Sequence, residues 1–428
     1  MKVKEGYMIK IVDARMGLGK TSAAIQYMKD NPDKRYLFIT PFIDETERIH
    51  KACPELKFWI PSNKISEYEF KKGNHLKALV EAGQNVAMTH ALFTSSDVDT
   101  VRHIASHGYV VFIDEVIDVF TPLEISDSDI GMIVESGWLV GSGTGENTNY
   151  EYFETAADKR YQGGRFSDLF TFAKGHRLIN ISDAQSQRRF YFWSLHKELF
   201  QLSEEIYVLT YMFDGMPMKA LLDMNGIKYS FTGVTKTDDG AYRFTDTPAQ
   251  DHDKTLREKI HICQDARLNE IGSRRTALSA TWTRSAMVHS DDGRIDKLRR
   301  NINTFFRNHA PKDVKSSGRL WCTFKDAMGA VRDKGFYNCQ LAWTSRATNN
   351  YQDRSVMAYC VNIFLNPNIQ QYFELNGVQI DPDKYALANM VQWIWRGCIR
   401  QGRDIWVYIP SKRMRDLLIN WLNELAEE

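Results

Sequence analysis

Residues 14–21, ARMGLGKT, have the composition of a phosphate-binding loop. Glycines let the backbone turn so that successive N–H groups point inward, and the first turn of a following helix adds further donors. In such a loop Lys20 reaches the β- and γ-phosphates of ATP, and the Thr21 hydroxyl binds Mg²⁺. Ala14 stands where the usual pattern GxxxxGK[ST] has its first glycine. The predicted contacts to ATP come from six consecutive residues: Gly17, Leu18, Gly19, Lys20, Thr21 and Ser22.

A pair of carboxylates, Asp114 and Glu115, follows the apolar run YVVFI at 109–113. Such a run is typical of a buried parallel strand, and ligands of parallel α/β sheets bind at the carboxyl ends of the strands. We predict that Asp114 binds Mg²⁺ through water and that Glu115 polarises the water that attacks ATP. An acidic pair could instead cap a following helix, but the upstream phosphate loop favours the catalytic interpretation.

The elements that must hold these residues alternate between strand and helix. A strand is predicted at 7–12, before the loop, and a helix after it, because apolar residues recur there at spacings of three and four. Further strands are predicted at 36–40, 85–88 and 206–209. The same alternation in both halves of the chain predicts two α/β domains with parallel sheets.

The order of these segments resembles that of superfamily 2 helicases, and more closely the compact phage-encoded DEAD/DEAH-like helicases. DEVID at 114–118 resembles the DExx box, and the strand ends Thr40-Pro41 and Thr89-His90 resemble motifs that contact nucleic acid. The stretch YALANMVQWIWRGCIRQGRDIWVYI at 385–409 resembles the sixth motif and the strand after it. The resemblance implies two RecA-like domains in tandem with ATP between them. The polar segment at 225–251 places the junction between residues 1–225 and 226–428.

The sixth-motif resemblance implies a glutamine and two arginines that act on ATP. Gln392 and Arg396 match the usual spacing, while the next arginine, Arg400, is one position late, and Ile399 stands in its usual place. On one helix, residues 392, 396 and 400 would share a face. We favour Arg400 over Arg403 as the second arginine, whose charge would stabilise the γ-phosphate in the transition state. A basic helix face paired with acids is the alternative.

The resemblance also implies a turn that couples hydrolysis to movement, and the sequence offers two candidates. LTY at 209–211 follows the predicted strand 206–209, whereas SAT at 279–281 follows the charged stretch GSRR with no buried strand between them. We therefore assign the coupling role to Thr210. The implied contacts to nucleic-acid phosphates come from six residues on both halves of the chain: Thr40, Pro41, Thr89, His90, Thr323 and Thr348.

An insertion in the first domain is predicted at about 133–195, because nearly ninety residues separate the acidic pair from the next strand. LINISDAQSQRRFYFWSL at 178–195 predicts two strands about a turn. Arg188, Arg189 and the aromatic residues Phe190, Tyr191 and Trp193 could bind a single strand. Alternatively, this hairpin packs its aromatic side chains on itself.

The composition limits the partners, metal sites and cellular location that we expect. The net charge is +1, which neither supports nor excludes a nucleic-acid partner. The six cysteines form no CxxC pair, so we expect reduced thiols and not a zinc site. No stretch reaches the roughly 18 apolar residues of a membrane span, and the N-terminus lacks the apolar core of a signal peptide. We therefore expect a cytoplasmic monomer, in the host cell if it is phage-encoded.

Taken together, the residues and the resemblance predict an ATP-dependent helicase or translocase that uses Mg²⁺ and acts in phage replication, recombination or repair. DNA is favoured over RNA as the track, and phage replication proteins are candidate partners. No segment that selects adenine is expected, so preference for ATP over other nucleoside triphosphates would be weak. A packaging-type motor and a nucleotide-gated DNA clamp are the alternatives; the first would normally add clustered acids of a nuclease, and the second would use the same residues.

Overall fold

A computed structural model describes residues 8–144, 150–156, 163–173, 176–182, 189–201, 203, 205–248, 253–345 and 350–427. The chain divides into two compact units. The first comprises Met1–Ala14, Gly19–Ala249 and Asn366–Ile380, and the second comprises Arg15–Leu18, Gln250–Leu365 and Asp381–Glu428. No helix among the described residues is long and apolar enough to cross a membrane.

The strands of the described residues are short and come from both halves of the chain. They are β1 Met8–Asp13, β2 Tyr36–Thr40, β3 Val86–Thr89, β4 Val110–Asp114, β5 Phe120–Leu123, β6 Leu139–Thr144, β7 Tyr150–Thr155, β8 His176–Ser182, β9 Arg189–Leu195, β10 Glu205–Thr210, β11 Tyr229–Phe231, β12 Gly233–Lys236, β13 Tyr242–Thr245, β14 Ile260–Ile262, β15 Arg319–Cys322, β16 Val356–Tyr359 and β17 Ile405–Tyr408.

The α-helices alternate with these strands. They are α1 Lys20–Asp30, α2 Ile43–Ala52, α3 Lys72–Glu81, α4 His90–Thr94, α5 Val98–Ser106, α6 Asp127–Glu135, α7 Ser167–Phe172, α8 Pro217–Met224, α9 Leu256–Lys259, α10 Ala266–Asn269, α11 Ala280–Val288, α12 Arg294–Thr304, α13 Met328–Val331, α14 Pro367–Leu375, α15 Pro382–Ile394 and α16 Lys412–Glu427.

The first unit is built on a six-stranded parallel sheet with the order β11-β1-β10-β4-β2-β3. Every residue of β2 and β4 is buried, as their continuous apolar runs predicted. β10 lies between the strand that precedes the phosphate loop and the strand that precedes the acidic pair. The carboxyl ends of these three strands therefore meet at one edge. This confirms the predicted α/β class, with a RecA-like order of strands.

The first unit continues past the predicted boundary at 225. β11 pairs with β1 in parallel, and the hairpin formed by β12 and β13 packs along α1. Val234 and Phe244 of this hairpin lie against the apolar core of the first unit. The polar composition of the segment at 225–251 suggested a junction, but most of this segment belongs to the first unit, because β11 pairs with β1 and the β12–β13 hairpin packs along α1.

The insertion is an antiparallel sheet with the order β5-β9-β8-β7-β6. It begins at Phe120, before the predicted start at 133, because β5 pairs with β9. The pair β8 and β9 confirms the two predicted strands. Tyr191 and Trp193 are buried in the core of this sheet, which supports packing over nucleic-acid contact for these two rings. Arg188 lies outside the described residues.

A helix from the second half of the sequence, α14, packs on this inserted sheet within the first unit. The ring of Tyr372 contacts Phe120, Tyr150 and Phe192 at centroid distances of 5.9, 5.2 and 5.3 Å. The Tyr150 hydroxyl donates to Asn376 Oδ1 at 2.8 Å. The two-domain division by sequence, 1–225 and 226–428, did not anticipate that residues 366–380 belong to the first unit.

The second unit contains a four-stranded parallel sheet with the order β14-β17-β16-β15. Its strand β17 matches the strand implied after the sixth-motif stretch, and α16 buries Met414, Leu418 and Leu422. Gln340 forms an isolated bridge with Trp321. SAT at 279–281 begins α11, where the Ser279 hydroxyl caps the helix by accepting from Trp282 N at 3.2 Å. This geometry is that of a helix start and not of a strand end.

Candidate active site

The phosphate loop connects β1 to α1 in the manner that the sequence predicts. Gly17 and Gly19 have φ angles of +94° and +85°, which side chains other than glycine rarely adopt. Gly19 is the N-cap of α1 and has no side chain with which to cap it, and no acidic residue occurs in the first turn. The first N–H groups of an α-helix have no partner within the helix, and such a helix start can bind an anion such as a phosphate.

Lys20 and Thr21 open this helix, and Lys20 is buried. The Lys20 ammonium donates to the carbonyl oxygen of Ala14, so its side chain folds back across the loop. Thr21 Oγ1 lies 3.5 Å from both carboxylate oxygens of Asp114. The ammonium, the hydroxyl and the carboxylate predicted to act together are thus neighbours in the first unit.

The two carboxylates occupy the end of β4. Asp114 and Glu115 are 9% and 8% exposed. The Glu115 N–H donates to the Leu209 carbonyl of β10 at 2.9 Å, while its φ angle is +67°. A left-handed conformation is uncommon for glutamate, and such strain is often found at functional sites.

Burial raises the pKa of Asp114 to about 7, with a further increase from the Glu115 charge, against the opposing effect of Lys20. Burial and the Glu115 charge disfavour the charged form of Asp114, and additional positive charge at this edge would favour it. Among the residues that the structure describes, no group of three or more His, Cys, Asp or Glu side chains is placed to hold a metal. Mg²⁺ needs fewer protein ligands, because it keeps several waters and binds substrate phosphates. Thr21 and Asp114 fit that requirement.

Asp13 also lies at the carboxyl edge of the first sheet, and the sequence analysis did not predict it as a site residue. It is the last residue of β1, and its Oδ2 accepts from the Phe213 N–H, in the turn after β10, at 3.0 Å. Burial raises the pKa of Asp13, against the lowering effect of the Phe213 and Met212 N–H groups. The available signal was an acid at the end of an apolar strand, directly before the loop, the same signal that identified Asp114.

The candidate coupling residue, Thr210, lies opposite Asp13 in the register of β1 and β10. Its side chain is fully buried, and its hydroxyl has no hydrogen-bond partner among the described residues. The chain then turns through Met212, whose φ is +57°, into a 3₁₀ turn, Phe213–Gly215, and α8. The predicted strand, turn and helix are confirmed, while the coupling role stays a prediction.

The predicted nucleic-acid contacts differ in exposure. Thr40 and Thr323 are buried, at 0% and 1% exposed, so neither hydroxyl lies at the surface. Pro41 is partly exposed. Thr89 is also partly exposed and caps α4, and the His90 ring is hydrogen-bonded to the Asp114 carbonyl oxygen at 2.9 Å. Thr348 lies outside the described residues.

The three sixth-motif residues do not share one helix face, contrary to the prediction. α15 ends at Ile394, Arg396 follows it, and Arg400 lies in a separate 3₁₀ turn, Cys398–Gln401. Gly397 separates the two segments, and a Cβ there would clash with the Arg354 carbonyl oxygen at 2.8 Å. Gln392 and Arg396 are buried, whereas Arg400 is partly exposed.

Arg400 lies beside Gly17, and both residues belong to the second unit by the division given above. A Cβ added to Gly17 would lie 3.4 Å from Cγ of Arg400. Arg403 is exposed and donates to the Gln352 carbonyl oxygen at 2.9 Å. The prediction that Arg400 acts on ATP in preference to Arg403 stays open, and these positions favour it.

Comparisons with known proteins give a sequence relative and several structural likenesses, two of which are described here. Residues 254–422 match the family described as the YonV C-terminal Rossmann-like domain. The SPbeta prophage-derived protein YonV of Bacillus subtilis (strain 168) is 35% identical over 422 residues, which cover 97% of this chain and 98% of the relative. An XPD helicase has a TM-score of 0.43 at 11% identity, covering 99% of this chain and 96% of its own. Xpd4 of S. tokodaii has a TM-score of 0.46 at 11% identity, covering 98% and 95%.

Proposed function

The chain belongs to the family of the prophage protein YonV, and from the residues at its sheet edge we propose that it is an ATP-dependent nucleic-acid helicase or translocase. The observation that carries this proposal is the position of Thr21 Oγ1, 3.5 Å from both carboxylate oxygens of Asp114, beside the buried Lys20. A phosphate-binding helix start and an acidic strand end in one sheet are the two parts that ATP hydrolysis requires.

Each residue of the edge has a role in this proposal. The N–H groups of the loop and α1 bind the phosphates, and the Lys20 ammonium neutralises their charge. Thr21 and Asp114 hold Mg²⁺, which when bound supplies positive charge to the β- and γ-phosphate oxygens. Glu115 accepts a hydrogen bond from the attacking water, orients it and takes its proton. Its fixed backbone conformation holds the carboxylate in place before ATP binds.

Residues of the sixth-motif segment complete the proposal. Gln392 and Arg396 orient the triphosphate, and Arg400 stabilises the charge that develops on the γ-phosphate. Thr210 and the turn after it respond to the state of the nucleotide, because Asp13 ties that turn to the strand before the loop at 3.0 Å. Movement along the strand follows from contacts at Pro41, Thr89 and His90, with Thr348 as a further predicted contact. The buried hydroxyls of Thr40 and Thr323 are not part of this surface.

DNA is the proposed track, and replication, recombination or repair of a phage genome is the proposed setting. The support for both is the prophage origin of the relative, because a prophage is DNA carried in a bacterial chromosome. Phage replication proteins are the corresponding candidate partners. A monomer in the host cytoplasm is the simplest form in which such a motor would work.

The test is phosphate release from ATP with single-stranded, duplex and forked DNA and with RNA, followed by displacement of a bound protein from the stimulating strand. The proposal expects strong stimulation by DNA and ATP-dependent displacement. Robust hydrolysis that no nucleic acid changes would contradict it and point to a motor or switch governed by a protein partner. Stimulation without displacement would indicate a nucleotide-gated clamp.

A further inference from the structure

An aromatic ring from outside the phosphate loop lies against the last glycine of that loop. A Cβ added to Gly19 would overlap Cγ, Cδ1 and Cε1 of Tyr242, so the ring rests directly on the Gly19 backbone. Gly19 caps the helix start that is proposed to bind phosphate. Tyr242 is therefore the aromatic side chain next to the proposed triphosphate site, and it is only partly buried.

The hairpin that carries this ring is fixed to the first unit. Phe244 stacks on Tyr207 with centroids 4.8 Å apart and an interplanar angle of 19°. Arg243 Nη1 donates to Asp30, at the end of α1, at 2.8 Å. Because residues two apart in a strand share a face, Tyr242 continues the face of Phe244 along α1 towards Gly19. The ring is thus positioned before any ligand arrives.

A cation accompanies the ring. Lys236 is the cross-strand partner of Tyr242, and its Nζ lies 5.9 Å from the centre of the Tyr242 ring. An aromatic surface with a neighbouring ammonium suits a ligand that is planar at one end and anionic at the other. A nucleotide has this combination in its base and its phosphates.

We infer that Tyr242 is the stacking surface for the base of the nucleotide, with Lys236 as an accompanying cation. The inference rests on the proposed function, because it requires a nucleoside triphosphate in the phosphate loop. Stacking on a ring accepts every base, since each base has an aromatic face. The site therefore takes ATP and GTP with similar affinity, and both bind more tightly than tripolyphosphate, which has no base.

The competing explanation is that Tyr242 only packs against Gly19 and supports the loop. The two explanations differ in one measurable respect. A stacking surface contributes to nucleotide affinity and not to tripolyphosphate affinity, whereas a packing residue that shapes the loop affects both. Tyr242→Leu keeps an apolar side chain against Gly19 while removing the aromatic face, and Tyr242→Phe keeps the face.

The experiment is isothermal titration calorimetry of the full chain with Mg-ATP, Mg-GTP and Mg-tripolyphosphate. Wild type is compared with the Phe, Leu and Ala variants at Tyr242 and with Lys20→Ala. We expect Tyr242→Leu and Tyr242→Ala to weaken ATP and GTP binding about tenfold or more, the range for loss of a stacked base. Tripolyphosphate affinity should stay within about twofold of wild type, and Tyr242→Phe should match wild type for all three ligands.

Two results would overturn the inference while the proposed function stands: unchanged ATP affinity in Tyr242→Leu, or an equal loss of ATP and tripolyphosphate affinity. Lys20→Ala separates the two proposals, because it should weaken ATP and tripolyphosphate alike. Wild-type protein that binds none of the three ligands would overturn both the proposed function and the stacking inference. Urea unfolding of each variant identifies any loss of fold, and Tyr242→Leu then decides the question if Tyr242→Ala does not fold.

Discussion

The two ends of strands β1, β10 and β4 differ in how their charged groups are paired. At the amino end, Glu205 accepts from the Tyr27 hydroxyl at 2.6 Å and from the Lys34 ammonium at 2.9 Å. Lys34 also donates to the Tyr27 hydroxyl at 2.8 Å, so the three groups satisfy one another. At the carboxyl end, the Lys20 ammonium is close to Asp13 and Asp114, and the Arg48 guanidinium also lowers the pKa of Asp114, yet burial outweighs both cations.

The pKa shifts of the two ends have opposite signs. Burial alone would raise the pKa of Glu205, but hydrogen bonds from Tyr27 and Lys34 bring it below its usual value. Burial raises the pKa of Asp13 and Asp114. The charge of Glu205 at the amino end therefore stabilises the fold. At the carboxyl end, the charged forms of Asp13 and Asp114 lower the stability of the protein without ligand. One strand, β10, carries both Glu205 and Thr210, so the contrast arises within six residues.

The largest expected effect is on catalysis at the carboxyl end. Glu115→Gln keeps the shape of the side chain but removes the base, so we expect kcat to fall about 10²–10⁴-fold. Binding of Mg-ATP should persist. Single-turnover phosphate release measures this change, with Glu135→Gln on the exposed face of α6 as a matched control. An equal loss of kcat in the two variants would show that the effect is not specific to Glu115.

Asp114→Asn should stabilise the protein in the absence of ligand. The pKa of Asp114 is raised from 3.8 to about 7, so wild type loses stability as the pH rises through this window. The variant does not titrate. Its advantage should be smallest below about pH 4, grow between pH 4 and pH 7 and level off above that, reaching on the order of a few kcal/mol. Urea unfolding between pH 4 and 8 measures the difference. A variant less stable than wild type at pH 8 would contradict the idea that this charge is costly.

Thr210→Val tests the same idea without a charge. The Thr210 hydroxyl is buried with no partner among the described residues, and a buried unsatisfied hydroxyl costs about 1–3 kcal/mol. Valine has a similar shape and no hydroxyl, so we expect the free energy of unfolding to increase by roughly 1 kcal/mol. Denaturant unfolding at pH 7 gives the value, with Thr210→Ser as the variant that retains the hydroxyl. A decrease for valine would mean that the hydroxyl is satisfied in solution.

Glu205→Gln should lower the free energy of unfolding, the opposite of the two preceding substitutions, and by the smallest amount. It replaces a charged acceptor of two hydrogen bonds by a neutral one, so we expect a loss of about 1 kcal/mol, reduced by partial exposure of the ion pair. Because the pKa of Glu205 is lowered, its contribution is present at neutral pH and disappears as the pH falls below about 4. The rate of ATP hydrolysis should not change. If Glu205→Gln instead raised the free energy of unfolding, the charge at the amino end would be destabilising, like that of Asp114 at the carboxyl end.

Local patterns in the sequence were enough to predict the edge of the sheet but not its surroundings. Asp114 and Thr210 end largely apolar strands, and Lys20 and Thr21 follow the loop after β1. Parallel pairing brings such strand ends together. The contact between Tyr242 and Gly19 joins residues far apart in sequence and left no periodic signal. The same holds for α14, whose docking on β5 and β9 depends on rings from distant segments.

Two errors had visible local causes. The spacing of Gln392, Arg396 and Arg400 predicted one helix face, but the glycine at 397 follows the end of α15, and the chain turns there. The junction at 225 was placed by polarity, although the alternation of Val234 and Phe244 with polar neighbours indicates strands with one buried face. Short strands in polar segments are easily taken for linkers, since only their pairing shows where they belong.

The most direct test of the central claim is steady-state phosphate release from Mg-ATP by wild type and Lys20→Ala, each with saturating single-stranded DNA. If the carboxyl edge of the first sheet is an ATP-hydrolysing site that nucleic acid controls, wild type will turn over and DNA will stimulate it. Lys20→Ala will then fall to the background rate with or without DNA, while its unfolding curve stays like that of wild type. Equal rates in the two proteins would place hydrolysis elsewhere and contradict the account.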